Sequence, residues 1–318
     1  MKKILITGMT GFVGEYLAEH LVNSSVEVHG TYYSEDSLTR LGELRDKITS
    51  YQVDLTDKEQ VEKLINDVRP DEVYNLAAQT SPSQSIKDPS DTLMNNTLSE
   101  LYLFEAIKNS THKDTRILAI SSSEIYGAID ASDLPIDEDT PLRPTTPYAV
   151  SKITQDYLAL QYFLAHKMQI IRVRPFNHTG PRQQPNFVVP MFAKQIAEIE
   201  KGKQEPLMKV GNLDARKDFT DVRDVVKAYS LLMEKGVPGD VYNIGSGKSV
   251  KIQQILDSLI SLSGKEITYE RDDALYRPID TPDIYCDYEK IKSLTGWEPQ
   301  IPLEKTLKDT LDYFREVI

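Results

Sequence analysis

KKILITGMTGFVGEYLAEHLVN, residues 2–23, opens the chain and decides its fold. Lys2–Thr7 reads as a short buried strand and Glu15–Asn23 as the start of an amphipathic helix. Between them stand Gly8, Gly11 and Gly14. A glycine-rich turn from a first strand into a helix lets backbone amides approach a pyrophosphate at the positive helix end. The spacing is GxxGxxG, not the commoner GxGxxG, and glycines in an unliganded tight turn would look alike in isolation. Strand, turn and helix in this order favour a dinucleotide, with Phe12 and Val13 of the same turn as further contacts.

Outward from that turn the chain alternates. Val26–Thr31, Ser50–Val53, Glu72–Leu76, Arg116–Ser121 and Ile170–Val173 read as strands, with Thr97–Lys108 and Tyr148–His166 among the helices between them. Alternation of this kind implies an α/β fold, a Rossmann-type doubly wound parallel sheet. After residue 177 the texture changes to proline-rich loops and shorter elements. We therefore divide the chain into a dinucleotide-binding domain, 1–177, and a smaller substrate lobe, 178–318, with later segments returning to the first domain.

TTPYAVSKITQDYLALQYF carries Tyr148 and Lys152. A helix starting near Pro147 turns about once per 3.6 residues, so the two stack on one face. An ammonium beside a phenol favours the phenolate, and the expected result is a tyrosine pKa drawn towards neutrality. Isolated YxxxK pairs are common by accident; the glycine turn upstream gives this one its weight.

Four stretches taken together, TGMTGFVG (7–14), NLAA (75–78), SSSEIYG (121–127) and YAVSK (148–152), resemble the extended short-chain dehydrogenase/reductases across essentially the whole chain. That family acts largely on nucleotide-activated sugars. RPFNHTGP (174–181), NFVVPMFAKQI (186–196) and GNLDARKDFTDVRDVV (211–226) resemble its GDP-sugar branch, and within it the reductases of GDP-4-keto-6-deoxymannose.

The resemblance implies roles residue by residue. Ser122 pairs its hydroxyl with Tyr148 and polarises a ketone, while Lys152 holds the nicotinamide ribose and keeps Tyr148 acidic. Glu124 either removes a proton at C5 of a keto-sugar, as in dehydratases, or orders the pocket. Asp54 and Leu55 hold the adenine, although Asp54 also reads as the cap of the next helix. Ala77 and Ala78 leave room for the cofactor or simply pack. Ser123 binds substrate, Asn177 contacts the sugar or phosphate, and Lys194 lies near the nucleotide or else on a solvated helix face. Family members place an arginine directly before the Asp-aromatic pair where this chain has Lys217, with Arg216 one residue earlier, so the register of that phosphate contact is open. Arg277 matches a second diphosphate arginine and Asp280 the acid on the ribose diol. Trp297 reads as core. Relatives pair two helices from each copy into a four-helix bundle, and Leu98, Leu101, Tyr102, Phe104, Tyr157, Leu160 and Leu164 could line such a homodimer.

Cofactor choice is thinly written. Tyr32 stands where an NAD-type acid is expected, Glu35 and Asp36 fall too far round the loop, and no adjacent arginine marks a 2′-phosphate pocket. NADPH is preferred to NADH, and no metal is expected. The anticipated reaction is reduction of the sugar C4 ketone, giving GDP-D-rhamnose or its C4 epimer. A GDP-mannose 4,6-dehydratase or nucleotide-sugar 4-epimerase is the nearer alternative, and a non-catalytic dinucleotide sensor the remoter one.

Bulk properties suit a cytoplasmic enzyme. Lys and Arg total 37 against 49 Asp and Glu, a net charge of −12, which argues against nucleic acid or anionic membrane as partner. MKKILITG has too short an apolar run for a signal peptide. Cys286 is the single cysteine, so no internal disulfide forms.

Overall fold

In the computed structural model, residues 1–275 and 282–318 are described; Arg277 and Asp280 lie outside them. The first half runs β1 (Lys2–Thr7), α1 (Phe12–Val22), β2 (Val26–Tyr32), β3 (Thr49–Gln52), α2 (Lys58–Val68), β4 (Glu72–Asn75), α3 (Pro82–Lys87), α4 (Pro89–Asn109), β5 (Arg116–Ile120), α5 (Pro147–His166) and β6 (Gln169–Pro175). The second half runs β7 (Asn177–Thr179), α6 (Val188–Glu200), β8 (Leu207–Val210), β9 (Arg216–Asp221), α7 (Val222–Lys235), β10 (Val241–Ile244), β11 (Ser249–Lys251), α8 (Ile252–Ser263), β12 (Thr268–Arg271), β13 (Asp283–Ile284), α9 (Glu289–Thr295) and α10 (Leu303–Val317).

Seven strands form one parallel sheet in the order β10-β6-β5-β4-β1-β2-β3. Apolar β1 is its hub: Ile4, Leu5 and Ile6 are buried, with α1 and α7 on one face and α2, α4 and α5 on the other. The strand order reverses between β1 and β4, and at such a switch point a crevice opens beyond the carboxyl ends of the strands. Strand β10 joins this sheet beside β6, so the chain crosses back after leaving it. A second core gathers α6, α8 and α10 over β8 and β9.

Local chemistry explains the boundaries. Asp57, not Asp54, caps α2 by accepting from the amides of Glu59 at 3.0 Å and Gln60 at 3.2 Å. Thr146 caps α5 through the Ala149 amide at 3.1 Å, with Pro147 at the first helical position, and Lys167 ends that helix at φ 57°. Helix α4 begins at Pro89, eight residues before the expected Thr97, because Asp88 caps it through the Asp91 amide at 3.1 Å. The Asp-Pro pair was the signal for that start.

Candidate active site

A cavity of about 840 Å³ opens at the switch point and joins the glycine turn to Tyr148 and Lys152. Gly8, Gly11, Phe12, Val13 and Gly14 line one end, Asp54, Leu55, Ala77 and Ala78 the middle, and Ser122, Ser123, Glu124, Tyr148, Lys152 and Asn177 the other. The turn tests whether a dinucleotide fits. Gly8 sits at φ 64°, and a Cβ on Gly14 would stand 2.5 Å from the Met9 carbonyl oxygen, so neither tolerates a side chain. Gly11 begins α1 and no side chain caps it, which leaves the first helical amides to an anion. The residues present fit a bound NAD(P). The glycine turn would hold its pyrophosphate.

At the inner end, Tyr148 and Ser122 line the cavity together, and both side chains are buried. Ser122 also accepts from the Glu124 amide at 3.2 Å, fixing its position at the mouth of β5. The Tyr148 pKa is not drawn down as the pairing with Lys152 suggests. Burial raises it, the Ser122 hydroxyl offsets part of that rise, and the nearby charge of Glu124 adds to it. Lys152 is itself buried and points elsewhere: Nζ donates to the Ile120 carbonyl and to Gln155 Oε1, both at 2.8 Å. Burial lowers its pKa, and Glu100 opposes that fall.

Asp54 bends into the loop after β3, its Oδ1 accepting from the Thr56 amide at 2.8 Å and the Thr56 hydroxyl at 2.6 Å. Ala77 lies 3.0 Å from the Cβ position of Gly8, so close packing and a slot for the cofactor are the same feature there. Of the basic residues expected at the sugar nucleotide, the described ones, Lys194, Arg216 and Lys217, do not line this cavity. Lys194 sits on the outer face of α6, 3.7 Å from Glu198. Arg216 starts β9 and turns to Ser249, donating from Nε to Oγ at 3.2 Å, and to Asp283 at 3.3 Å. Lys217 lies in the middle of the second sheet, paired in register with Val250 and Ile284. Phe104, expected at a subunit interface, is core.

Sequence reasoning also missed residues that do line the cavity, Arg40 above all. It stands ten residues past Gly30, in the 3-10 turns of Glu35–Lys47, and folds back to donate to the Thr10 carbonyl at 3.4 Å. With the Gln184 amide oriented by its hydrogen bonding, its oxygen accepts from Arg40 Nη2 at 2.7 Å. Thr10 and Ser37 join hydroxyls at 3.0 Å alongside. An arginine in an irregular turn has no periodicity to announce it.

A parallel sheet with a glycine turn at its switch point and a Ser-Tyr-Lys set at its crevice defines an NAD(P)-dependent oxidoreductase of the extended short-chain class. The family described as GDP-mannose 4,6 dehydratase matches residues 5–310, and the chain belongs to it. Among its relatives, GDP-6-deoxy-D-mannose reductase of Pseudomonas aeruginosa is 32% identical over 98% of this chain and 96% of its own length. GDP-mannose 4,6-dehydratase of Yersinia enterocolitica is 28% identical over 96% and 91%. Among solved structures, RMD from Pseudomonas aeruginosa complexed with NADPH superposes with a TM-score of 0.87 at 30% identity, covering 100% of both chains. UDP-glucose 4-epimerase from Thermotoga maritima gives 0.88 at 27% identity over 99% of each.

Proposed function

We propose that this enzyme reduces the C4 ketone of a GDP-4-keto-6-deoxyhexose, with GDP-4-dehydro-6-deoxy-D-mannose as substrate and NADPH as reductant. One observation carries the reading: the buried Tyr148 side chain lies with Ser122 and Lys152 at the inner end of the cavity that begins at the glycine turn. The nicotinamide, when bound, supplies hydride to C4 of the sugar. Ser122 donates to the ketone oxygen, and Tyr148 gives that oxygen its proton. The buried phenol is protonated, so it starts with the proton that a reduction delivers. An epimerase or dehydratase begins by oxidising the sugar, and its tyrosine must first act as a base.

Ser123 and Asn177 bind the sugar in this reading, and Arg277 and Asp280 take the diphosphate and ribose. NADPH is preferred because Arg40, Ser34 and Ser37 stand together where β2 meets the cavity, a cation with hydroxyls for a 2′-phosphate. Glu124 lines the cavity beside Tyr148, and this favours a second reading in which it removes a sugar proton, as elimination requires. We also place the enzyme in the cytoplasm as a homodimer. Met94 on α4 and Val150, Tyr157 and Leu164 on α5 are large apolar side chains left exposed on adjoining helices, and a second copy packed there would cover them.

The test is to supply GDP-mannose with and without a GDP-mannose dehydratase, following NADPH absorbance and the sugar by NMR. One NADPH oxidised per deoxyhexose formed, only with the dehydratase present, supports the reductase. Turnover of GDP-mannose alone without net NADPH oxidation transfers the assignment to the second reading.

A further inference from the structure

Beneath the site lies a carboxyl group that the proposed chemistry does not use. Glu100 is fully buried on α4, which packs against α5. Asn75 Nδ2 on β4 donates to its Oε2 at 3.3 Å, and Gln155 on α5 lies against the same carboxyl. Its Oε1 has no hydrogen-bond partner. A carboxyl buried with one oxygen unsatisfied is costly, and it persists where something else compensates.

The surroundings identify what compensates. Asp156, the other acid facing Glu100, is committed to Arg172 and Arg174 of β6. The remaining buried cation is Lys152, whose Nζ is joined to Gln155 at 2.8 Å, and Tyr148 stands one turn before Lys152 on the same helix. From β4 and β1 come neutral partners, Asn75 and Thr7, which bond to each other at 2.8 Å. Thr7 in turn accepts from the Ala77 amide at 3.1 Å. The α2 side chains buried against α4, Leu64 and Ile65 among them, are apolar. A polar chain thus runs from the end of β1, beside the glycine turn, through Asn75, Glu100 and Gln155 to the Lys152 ammonium.

We infer that Glu100 is a positioning residue for the reaction: its ionised carboxylate is the counter-charge that keeps Lys152 an ammonium and holds it, through Gln155, beside the cavity. Burial, the largest influence on each group, pushes Glu100 up and Lys152 down towards their neutral forms, and the charge of each works against the other's shift, which is the part the pairing supplies. The inference rests on the reading of Lys152 as part of the catalytic set.

The deciding experiment compares wild type, Glu100→Gln and Glu100→Asp. In the glutamine variant the ammonium loses its counter-charge, so the alkaline limb of the kcat profile should move down by one pH unit or more, with KM for the sugar little changed. The aspartate variant should restore much of the limb. A lowered kcat with an unmoved limb would mean that Glu100 merely fills space, and would overturn the inference. Should the variants fail to fold, carboxyl-carbon NMR of the wild type decides: an ionised Glu100 at pH 8 supports it, and a protonated one refutes it. The Lys152 side-chain carbon titration, which needs no turnover, separates the outcomes. If Lys152 titrates at lower pH in Glu100→Gln yet no keto-sugar is reduced, the proposed function has failed and the pairing stands.

Discussion

Helix α5 buries two opposite charges one turn apart, and they are treated differently. Asp156 is saturated: Arg172 Nη1 donates to it at 2.7 Å, and Arg174 donates from Nε at 2.9 Å and Nη2 at 3.2 Å. That cluster ties α5 to β6 and, through Arg174 and Tyr126 at 3.0 Å, to the loop after β5. Lys152 instead reaches two neutral oxygens, with a partly satisfied carboxyl beyond. A satisfied ionic network fixes geometry; an under-satisfied one can still respond to a proton or a ligand. The helix is thus anchored by Asp156 so that Tyr148 and Lys152 can be poised.

The sharpest way to break this contrast is Tyr148→Phe. Turnover should fall by roughly 10²–10⁴-fold, the usual worth of a positioned general acid. NADPH affinity, read by fluorescence quenching, and the urea midpoint should hold. A large loss of stability would put Tyr148 in the anchoring class and sink the distinction. Asp156→Asn is the complementary substitution. It leaves two buried guanidiniums undercompensated and should cost about 3–5 kcal/mol in urea unfolding. What remains folded should retain the wild-type shape of its pH profile.

Arg40 sharpens the comparison from outside the helix. Arg40→Ala should raise KM for NADPH by roughly 10–100-fold, the equivalent of one or two charge-assisted hydrogen bonds, while KM for NADH barely moves. Equal effects on both cofactors would remove Arg40 from the 2′-phosphate.

These residues also show what could be read in advance. The sheet and glycine turn were legible because buried parallel strands need continuous apolar runs, and a pyrophosphate turn needs glycines at fixed spacing. Ser122, Tyr148 and Lys152 were legible because their spacing is set by a strand end and one helical turn. The direction of the Tyr148 pKa was not, since it depends on how dry the site is, and that is set by elements far apart in the chain that fold around it. Arg216 and Lys217 show where register stops being legible. Alternation in β9 sends successive side chains to opposite faces, so a run of two basic residues does not say which one meets a ligand. Glu100 drew no notice at all, because a glutamate in a helix is ordinarily solvated.

Glu15 offers the smallest test, and one of the same principle on the cofactor side. It lies in the first turn of α1, buried, with Arg182 Nε 4.0 Å away. Arg182 is already spent on Glu19, which it grips at 2.8 Å and 2.7 Å, and it covers the Tyr16 ring at 3.9 Å. Burial therefore outweighs the arginine, and the Glu15 pKa rises to about 7. A raised carboxyl pKa means that the folded protein holds the proton more tightly than the unfolded chain. The contribution is complete below the unfolded value near 4.5 and is lost as pH climbs to about 7. Glu15→Gln carries the protonated shape at every pH. It should match wild type in urea unfolding at pH 5 and exceed it at pH 8 by about 1–3 kcal/mol. Parallel curves at the two pH values would show that Glu15 is paired after all, and that the Arg182 strap serves both acids.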